Sequence, residues 1–443
     1  MRDLMVMFGV LILIPLAFSN AFVAYILWGW SALIAVDSYL YGFMQGMRLN
    51  MAFGLIALLM ILMRRDTLRG SSLKESPAFI LMVLFLLQAT ISASFAYPGN
   101  SKNWDLYDKI IKSFLFALAM PLVVVGRNRI HVFMLTLCLG LGFHGLIDGL
   151  KFMSSGGGHN VHGLIKFGDN NHYAVMMVMV IPLFLYLGKH MAYRHVRWGM
   201  YFCALLTIAA VIGTHSRGGL ISLIAIGGWL VFTSRQKFGG LLLFLCGGIL
   251  VLMMAPEAWF SRMDTIGDAQ QDSSFMARVE AWQVSSAIAM QNPFTGGGLH
   301  AVQVQSVWAM FRGQTGLLSF VDFGPPSEIF RAAHSIYFEV LGDMGFTGLL
   351  LFLAILFVGM RNGRRTEALL TTRKAEYEWA IDLSRTLSAV IFGYAVGGAS
   401  VSLAYSEFIY VIVMLTEVLK REVRESLVQK SRVPVEGRYV PAG

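Results

Sequence analysis

The chain is poor in charge and in cysteine, and each shortage excludes a class of protein. Only 14% of its 443 residues are Asp, Glu, Lys or Arg, and 56% are hydrophobic, whereas about a quarter of the residues in soluble domains are charged. A water-soluble fold is therefore excluded. The three cysteines, Cys138, Cys203 and Cys246, each lie in an apolar run, so neither a disulfide framework nor a cysteine-based metal site is expected.

The apolar residues form thirteen continuous runs, which predict an all-α polytopic membrane protein with about 12 transmembrane helices, since a bilayer core needs roughly 20 apolar residues per helix. Three runs precede residue 64, at about 4–18, 20–36 and 50–63. The first two are interpreted as one unit, broken or re-entrant around Pro15. The ten later runs are paired, at about 77–96, 107–126, 130–150, 172–188, 198–213, 219–233, 238–254, 335–360, 380–397 and 401–419.

Basic clusters separate successive pairs of runs, which is the pattern of the positive-inside rule. The clusters and both termini are therefore assigned to the cytoplasm, and the intervening loops to the opposite face. Because the positive charge is spread over short loops of one face, nucleic-acid binding is not expected. The clusters lie at 64–74, 127–129, 189–197, 235–237, 361–374 and 420–438.

One outward loop, residues 255–333, is much longer than the others and lies between the tenth and eleventh runs. It is too polar and too often interrupted by Gly and Pro to span, and loops of this length are usually functional. An amphipathic helix is predicted near Ser274–Met290. The chain thus divides into an N-terminal transmembrane bundle (1–254), this loop, C-terminal transmembrane helices (334–419) and a cytoplasmic tail (420–443).

The long loop contains four arginines and no lysine, although it is net negative. The planar guanidinium group can donate to two phosphate oxygens at once, so these residues are candidates for binding a phosphorylated ligand. Ordinary surface pairing with Asp264, Asp272 or Glu280 is the alternative for each of them. The four are Arg262, Arg278, Arg312 and Arg331.

A further arginine, Arg217, lies in a Thr-His-Ser-Arg-Gly-Gly turn at 214–219 that joins two spans with almost no loop. This places Arg217 at the outer membrane boundary, where the positive-inside rule disfavours a cation. Boundary charges are functional by default, and a snorkelling structural arginine is the alternative. The glycines allow a ligand to approach the backbone closely. His215 beside them is a further candidate.

His334 opens the helix that returns from the long loop to the membrane. On a helix it shares a face with Phe338, Leu341, Gly345 and Gly348, and the glycines permit tight packing on a neighbouring helix. A helix N-terminus disfavours imidazolium and favours anions, so we expect His334 to stay neutral and to accept a proton. A histidine that only caps the loop is the alternative.

These features together predict an outward-facing site for a phosphorylated or pyrophosphorylated lipid, with one candidate base. A glycine-rich loop at 154–171 is placed on the same face and adds Lys166 as a candidate. The two histidines of this loop and a third just after it match no familiar zinc spacing. No metal site is therefore expected, and a flexible turn is favoured. The three histidines are His159, His162 and His172.

Three segments resemble the O-antigen ligase and polymerase superfamily of bacterial inner-membrane glycosyltransferases. Ser-Arg-Gly at 216–218 is similar to one family motif, and Arg278 with Trp282 is similar to the Arg-x-x-x-Trp segment of its large periplasmic loop. The ligase histidine motif is matched at every specified position, by His334, Ser335, Gly345 and Gly348. The resemblance covers roughly 130–420, and the N-terminal third resembles O-glycosylation ligases encoded beside exosortase systems.

The resemblance implies a GT-C-like helical fold in the bacterial inner membrane, with the site facing the periplasm. It implies metal-independent, inverting transfer of a glycan from undecaprenyl diphosphate to a sugar hydroxyl of lipid A–core, without a cofactor. His334 would be the base, and Arg217 and Arg278 would bind the diphosphate. An O-antigen polymerase and a protein O-glycosylation ligase are alternatives within the family. A transporter of lipid-linked glycans is an alternative class, favoured by Asp148 and Glu407 but disfavoured because the candidate residues lie at one face.

Overall fold

The computed structural model describes residues 2–63, 76–163, 168–233, 273–321 and 325–432, and single positions at 238, 241, 245 and 248. Every regular element in these residues is a helix, which confirms the all-α prediction for them. The predicted run at 238–254 lies almost wholly outside the described residues. The helices are α1 (Arg2–Ser19), α2 (Ala21–Ile34), α3 (Leu49–Met63), α4 (Pro77–Ser94), α5 (Asn103–Val123), α6 (Arg127–Ser154), α7 (Asn170–His190), α8 (Arg194–Gly213), α9 (Arg217–Thr233), α10 (Ser273–Gln291), α11 (Gln305–Phe311), α12 (Ile336–Leu369), α13 (Glu378–Gly397) and α14 (Glu407–Arg432).

Six of these helices are long and apolar enough to cross a membrane, namely α1, α4, α6, α7, α8 and α12. Three shorter apolar helices, α2, α3 and α9, pack among them, and so do the more charged α5, α13 and α14. The chain is therefore a multi-pass membrane protein. The count of about 12 spans remains a prediction.

Helix α7 is the centre of the second half of the bundle. It packs against α6, α8, α9 and α13, and 83% of its most apolar window is buried inside the protein. Asp169 begins the helix, because its carboxylate accepts from the backbone N–H groups of Asn171 and His172, both at 2.9 Å. The first turn of α7 is thereby placed where α8 ends and α9 begins, and we call this end of the bundle the loop end.

The first two runs form two separate helices, so the break predicted around Pro15 is misplaced. Pro15 lies inside α1. The break is at Asn20, whose side-chain oxygen caps α2 by accepting from the backbone N–H of Phe22 at 2.8 Å. The Arg2 guanidinium lies 5.9 Å from the ring centroid of Tyr41, so residue 2 lies beside the end of α2. The cytoplasmic position of the N-terminus remains a prediction.

The last helix begins later and ends later than predicted. It starts at Glu407 and continues to Arg432, past the predicted boundary at residue 419. Lys420 is buried there, where its ammonium donates to the side-chain oxygen of Asn362 at 2.8 Å and pairs with Glu417 at 2.6 Å. A buried lysine needs such partners. Val423 is also buried, and the Ser426 hydroxyl lies 2.7 Å from that of Tyr377, so residues 420–426 are part of the packed bundle.

The described part of the long loop forms a small helical layer with its own apolar core. The helix predicted near Ser274–Met290 is present as α10, but it is not amphipathic, because its residues from Ala281 to Ala289 are buried on almost every side. The layer docks on α12 where Gly345, with φ +68°, interrupts the helix. There Gly297 and Gly298 donate their backbone N–H groups to the carbonyls of Gly342 and Asp343 at 2.9 and 3.1 Å. Gly345 therefore allows the long loop to pack closely on α12, whereas the sequence predicted close packing of this glycine on a neighbouring helix.

Replacing Gly345 with alanine is expected to destabilise this docking. A non-glycine residue rarely adopts a positive φ, and a Cβ at this position would lie only 2.5 Å from the Pro293 carbonyl oxygen. We expect a lower thermal unfolding temperature in detergent, by several degrees. Gly228→Ala is the matched control, because a Cβ there meets nothing within 4 Å. Equal unfolding temperatures for the two variants would contradict the docking role.

Candidate functional site

A short segment after α13, residues 398–402, joins distant parts of the chain, and we call it the serine segment. The Ser402 carbonyl accepts from Nε2 of His172 at 3.0 Å, and the Ser402 hydroxyl accepts from the backbone N–H of His334 at 3.0 Å. The Ser400 carbonyl accepts from Nη1 of Arg278 at 3.4 Å. The sequence placed this segment at the start of a transmembrane run, and hydropathy alone gave no sign that three candidate side chains meet there.

The turn at 214–219 lies against the same segment. Asn170 donates to the Thr214 carbonyl at 2.8 Å, and the Ser216 hydroxyl donates to the side-chain oxygen of Asn171 at 2.8 Å. Any Cβ at Gly218 would collide with the Ser400 hydroxyl. Close packing against Ser400 therefore explains why residue 218 is a glycine. The predicted approach of a ligand is not needed to explain it.

Arg217 is the first residue of α9 and is half-buried at the loop end. His215, two residues earlier, is half-buried in a left-handed conformation with φ +52°. The structure thus brings the predicted turn, including both residues, to the same side of the protein as Arg278 and His334. The link between them is the serine segment.

His334 lies just before α12, which begins at Ile336, and has φ +44°. Because the histidine precedes the helix and Gly345 interrupts it, the common helical face predicted for His334 does not exist. Its Nδ1 is buried and has no hydrogen-bond partner among the described groups. Buried polar atoms are nearly always satisfied, so an unsatisfied ring nitrogen at this position favours a functional interpretation.

The surroundings of His334 keep its ring neutral. Burial lowers its pKa to about 4, assisted by the positive charges of Arg278 and His172 and opposed by Asp169. The prediction of a neutral histidine therefore agrees with the structure, although the cause is burial and neighbouring cations rather than the helix N-terminus. A neutral imidazole has one nitrogen that can accept a proton.

His172 lies beside this ring, at 6.0 Å between centroids. Its Nδ1 lies 2.5 Å from the Asp169 carboxylate, and its Nε2 lies 3.0 Å from the Ser402 carbonyl. Burial raises the pKa of Asp169, but the hydrogen bonds and charge of His172 outweigh it and hold that pKa well below its usual range. From the sequence, His172 is grouped only with the glycine-rich loop. The signal that distinguishes it is Asp-x-x-His at the start of an apolar run, which is the spacing of a helix cap.

Arg278 and Trp282 are one turn apart on α10, so they project from the same face. The Trp282 ring donates to the Ala333 carbonyl at 2.6 Å and stacks on Phe338, with centroids 5.1 Å apart. The tryptophan therefore anchors the chain immediately before His334, and Arg278, one turn earlier, reaches the serine segment. This geometry explains why the two residue types occur at this spacing.

The remaining candidates do not join the cluster in the described residues. Arg312 donates to the Ser327 carbonyl at 3.4 Å and lies 3.6 Å from the Glu328 carboxylate, so it stabilises the loop itself. Arg331 is exposed. Arg262 and Lys166 lie outside the described residues. Among the residues with coordinates described above, no three His, Cys, Asp or Glu side chains are grouped as a metal site.

Comparison with known families gives one match of known function. Residues 202–353 match the model of the O-antigen ligase family. This match supports the O-antigen ligase superfamily for that part of the chain. Residues 1–192 match a second model, a family of unknown function (DUF5935), and no curated protein matches the chain. The O-antigen ligase match contains Arg217, Arg278 and His334. His172 lies within the second match, and the serine segment lies outside both.

The match over residues 202–353 supports an enzyme of the ligase or polymerase type. The three residues that carry the sequence resemblance are the ones that the fold gathers at the loop end. A neutral histidine close to an arginine provides a candidate base and a candidate cation for binding an anionic group.

Proposed function

We propose that the protein is an O-antigen ligase of the bacterial inner membrane. It transfers a glycan from undecaprenyl diphosphate to a sugar hydroxyl of lipid A–core on the periplasmic face, with GT-C-like architecture. The observation that carries the proposal is the neutral His334 beside Arg278, on the serine segment that also contacts the Arg217 turn. The long loop then faces the periplasm, and the basic clusters and the C-terminal end of α14 face the cytoplasm.

In the proposed reaction, His334 accepts the proton of the acceptor hydroxyl. The hydroxyl oxygen forms a bond to the anomeric carbon of the glycan, from the side opposite the leaving group, and the bond from that carbon to the diphosphate oxygen breaks. The configuration at carbon inverts. The electron pair stays on undecaprenyl diphosphate, whose added negative charge Arg278 and Arg217 stabilise.

The position of Arg217 suits a lipid-linked donor. It begins a 17-residue apolar helix at the loop end, where the partial positive charge of the helix N-terminus adds to that of the guanidinium. The diphosphate of a membrane lipid lies at the boundary between the hydrocarbon and water. A cation that binds phosphate at this boundary has to lie at the end of a membrane-spanning helix. Arg217 has this position, because it is the first residue of α9.

The alternative of a transporter loses part of its support. Asp148, one of the acids that favoured it, lies near the loop end of α6. There it accepts from the Tyr173 hydroxyl at 2.9 Å and lies 3.5 Å from the Lys151 ammonium. A transport site is expected near the middle of the membrane, and a carboxylate paired at the end of a helix does not fit that expectation.

Transfer by the purified protein tests the proposal. Detergent-solubilised protein is mixed with a synthetic undecaprenyl-diphosphate glycan and, in separate reactions, with lipid A–core, a second lipid-linked glycan and an unglycosylated acceptor protein. We expect glycosylated lipid A–core and free undecaprenyl diphosphate by mass spectrometry, at a rate unchanged by EDTA. The arginines bear the charge of the leaving group, so removal of divalent metal should have no effect.

The other outcomes discriminate among the alternatives. An elongated lipid-linked glycan would identify a polymerase, and a glycosylated protein would identify a protein O-glycosylation ligase. Loss of transfer in EDTA, restored by a divalent cation, would overturn the metal-independent mechanism. Absence of transfer to all three acceptors, with movement of the donor across proteoliposome membranes, would establish the transporter.

A further inference from the structure

The Asp169–His172 pair is bonded to the same segment as the proposed base. Asp169 holds Nδ1 of His172 at 2.5 Å, and Nε2 of His172 reaches the Ser402 carbonyl at 3.0 Å. The hydroxyl of Ser402 in turn accepts from the backbone N–H of His334 at 3.0 Å. A continuous path of hydrogen bonds therefore connects the cap of α7 to the main chain of His334.

The geometry gives both ring nitrogens of His172 a partner within the protein. Its two ring nitrogens face a carboxylate oxygen and a carbonyl oxygen, both of which can only accept, so the imidazolium alone satisfies both contacts. Both N–H groups are then engaged within the protein. His172 consequently has no donor left for a phosphate oxygen, and its positive charge acts on the site without a direct bond to substrate.

We propose that His172 is a positioning residue for the base, which fixes the serine segment under His334 and keeps a positive charge beside the His334 ring. This inference rests on the proposed function. The charged groups that face His334 are Arg278 from α10 and Asp169 and His172 from the start of α7. Of these, His172 is the one that combines a hydrogen bond to Ser402 with a ring 6.0 Å from that of His334.

The two roles predict different effects for two substitutions. His172→Gln retains a neutral donor for the Ser402 carbonyl but removes the charge. It is expected to raise the apparent pKa of the acidic limb of the kcat profile by about one pH unit, because a nearby cation disfavours protonation of His334. The plateau kcat should stay within about threefold of the wild type, because the hydrogen bond remains.

His172→Ala removes the hydrogen bond as well as the charge. It is expected to lower the plateau kcat about a hundredfold, with little change in KM for the lipid-linked donor, because small misplacement of a reacting group is costly. His162→Gln is the matched control, since His162 is an exposed histidine of the loop that precedes α7. It should show the wild-type profile.

The pH profiles of kcat, measured from pH 3.5 to 8 with purified donor and lipid A–core, decide the matter. A His172→Gln profile that superimposes on the wild type overturns the electrostatic role. A wild-type kcat for His172→Ala overturns the positioning role. If that variant fails to fold, His172→Gln supplies the test, because it keeps the hydrogen bond to Ser402. A hundredfold lower plateau kcat for His172→Gln would then show that the hydrogen bond is not what positions the base. Full activity of His334→Ala would instead refute the proposed base, so the two failures are distinguishable.

Discussion

Replacing His334 with alanine is expected to lower kcat for glycan transfer about a thousandfold, the middle of the range for loss of a general base. In the proposed reaction the neutral ring accepts the proton, and burial with two neighbouring cations keeps its pKa at about 4. Initial rates with saturating donor and acceptor measure the effect.

His300 provides the matched control for this experiment. It also has a positive φ, at 68°, and burial lowers its pKa too. Its charged neighbours are Lys102 and Lys109 instead of the arginine of the site. We expect His300→Ala to transfer glycan within a few-fold of the wild type. Equal rates for the His334 and His300 variants would refute His334 as the base.

Replacing Arg278 with alanine is expected to lower kcat by about a hundredfold to a thousandfold, as when one group that stabilises a developing charge is removed. The guanidinium is half-buried and oriented by the Ser400 carbonyl. Arg278→Lys should recover at most about tenfold, since an ammonium lacks the fork that contacts two phosphate oxygens. A single-turnover assay separates this loss from slow product release.

Arg312 is the control for Arg278, because it lies in the same loop and is bonded to Ser327 and Glu328. Arg312→Ala should retain kcat within a few-fold if its role is confined to the loop. An Arg278→Ala protein with wild-type kcat would show that this arginine does not stabilise the leaving group. Equal losses in both variants would indicate damage to the loop and not to the chemistry.

Local sequence was sufficient for the features that depend on near neighbours. Continuous apolar runs predicted the helices of the described bundle, because lipid offers no hydrogen bonds and a helix satisfies its own backbone. Arg278 and Trp282 were found through a spacing of four, which is one helical turn. Neutrality of His334 was predicted from the helix N-terminus, whereas burial and neighbouring cations are its cause in the structure.

Contacts between distant residues were beyond this reasoning. His172 and Ser402 are 230 positions apart, and neither hydropathy nor a short motif connects them. The break at Asn20 was missed because Pro15 is the stronger local breaker, whereas packing of α1 against α2 and α3 keeps the helix continuous through the proline.

By itself the sequence determined that this chain is helical, lies in a membrane and carries arginines and a histidine suited to a diphosphate substrate. Those properties follow from hydropathy and residue chemistry, which are local. Only the tertiary structure decided that Arg278, His172 and His334 meet on the serine segment, and that Gly345 receives the loop. Such contacts arise when the helices pack, because packing brings together groups that the chain holds far apart.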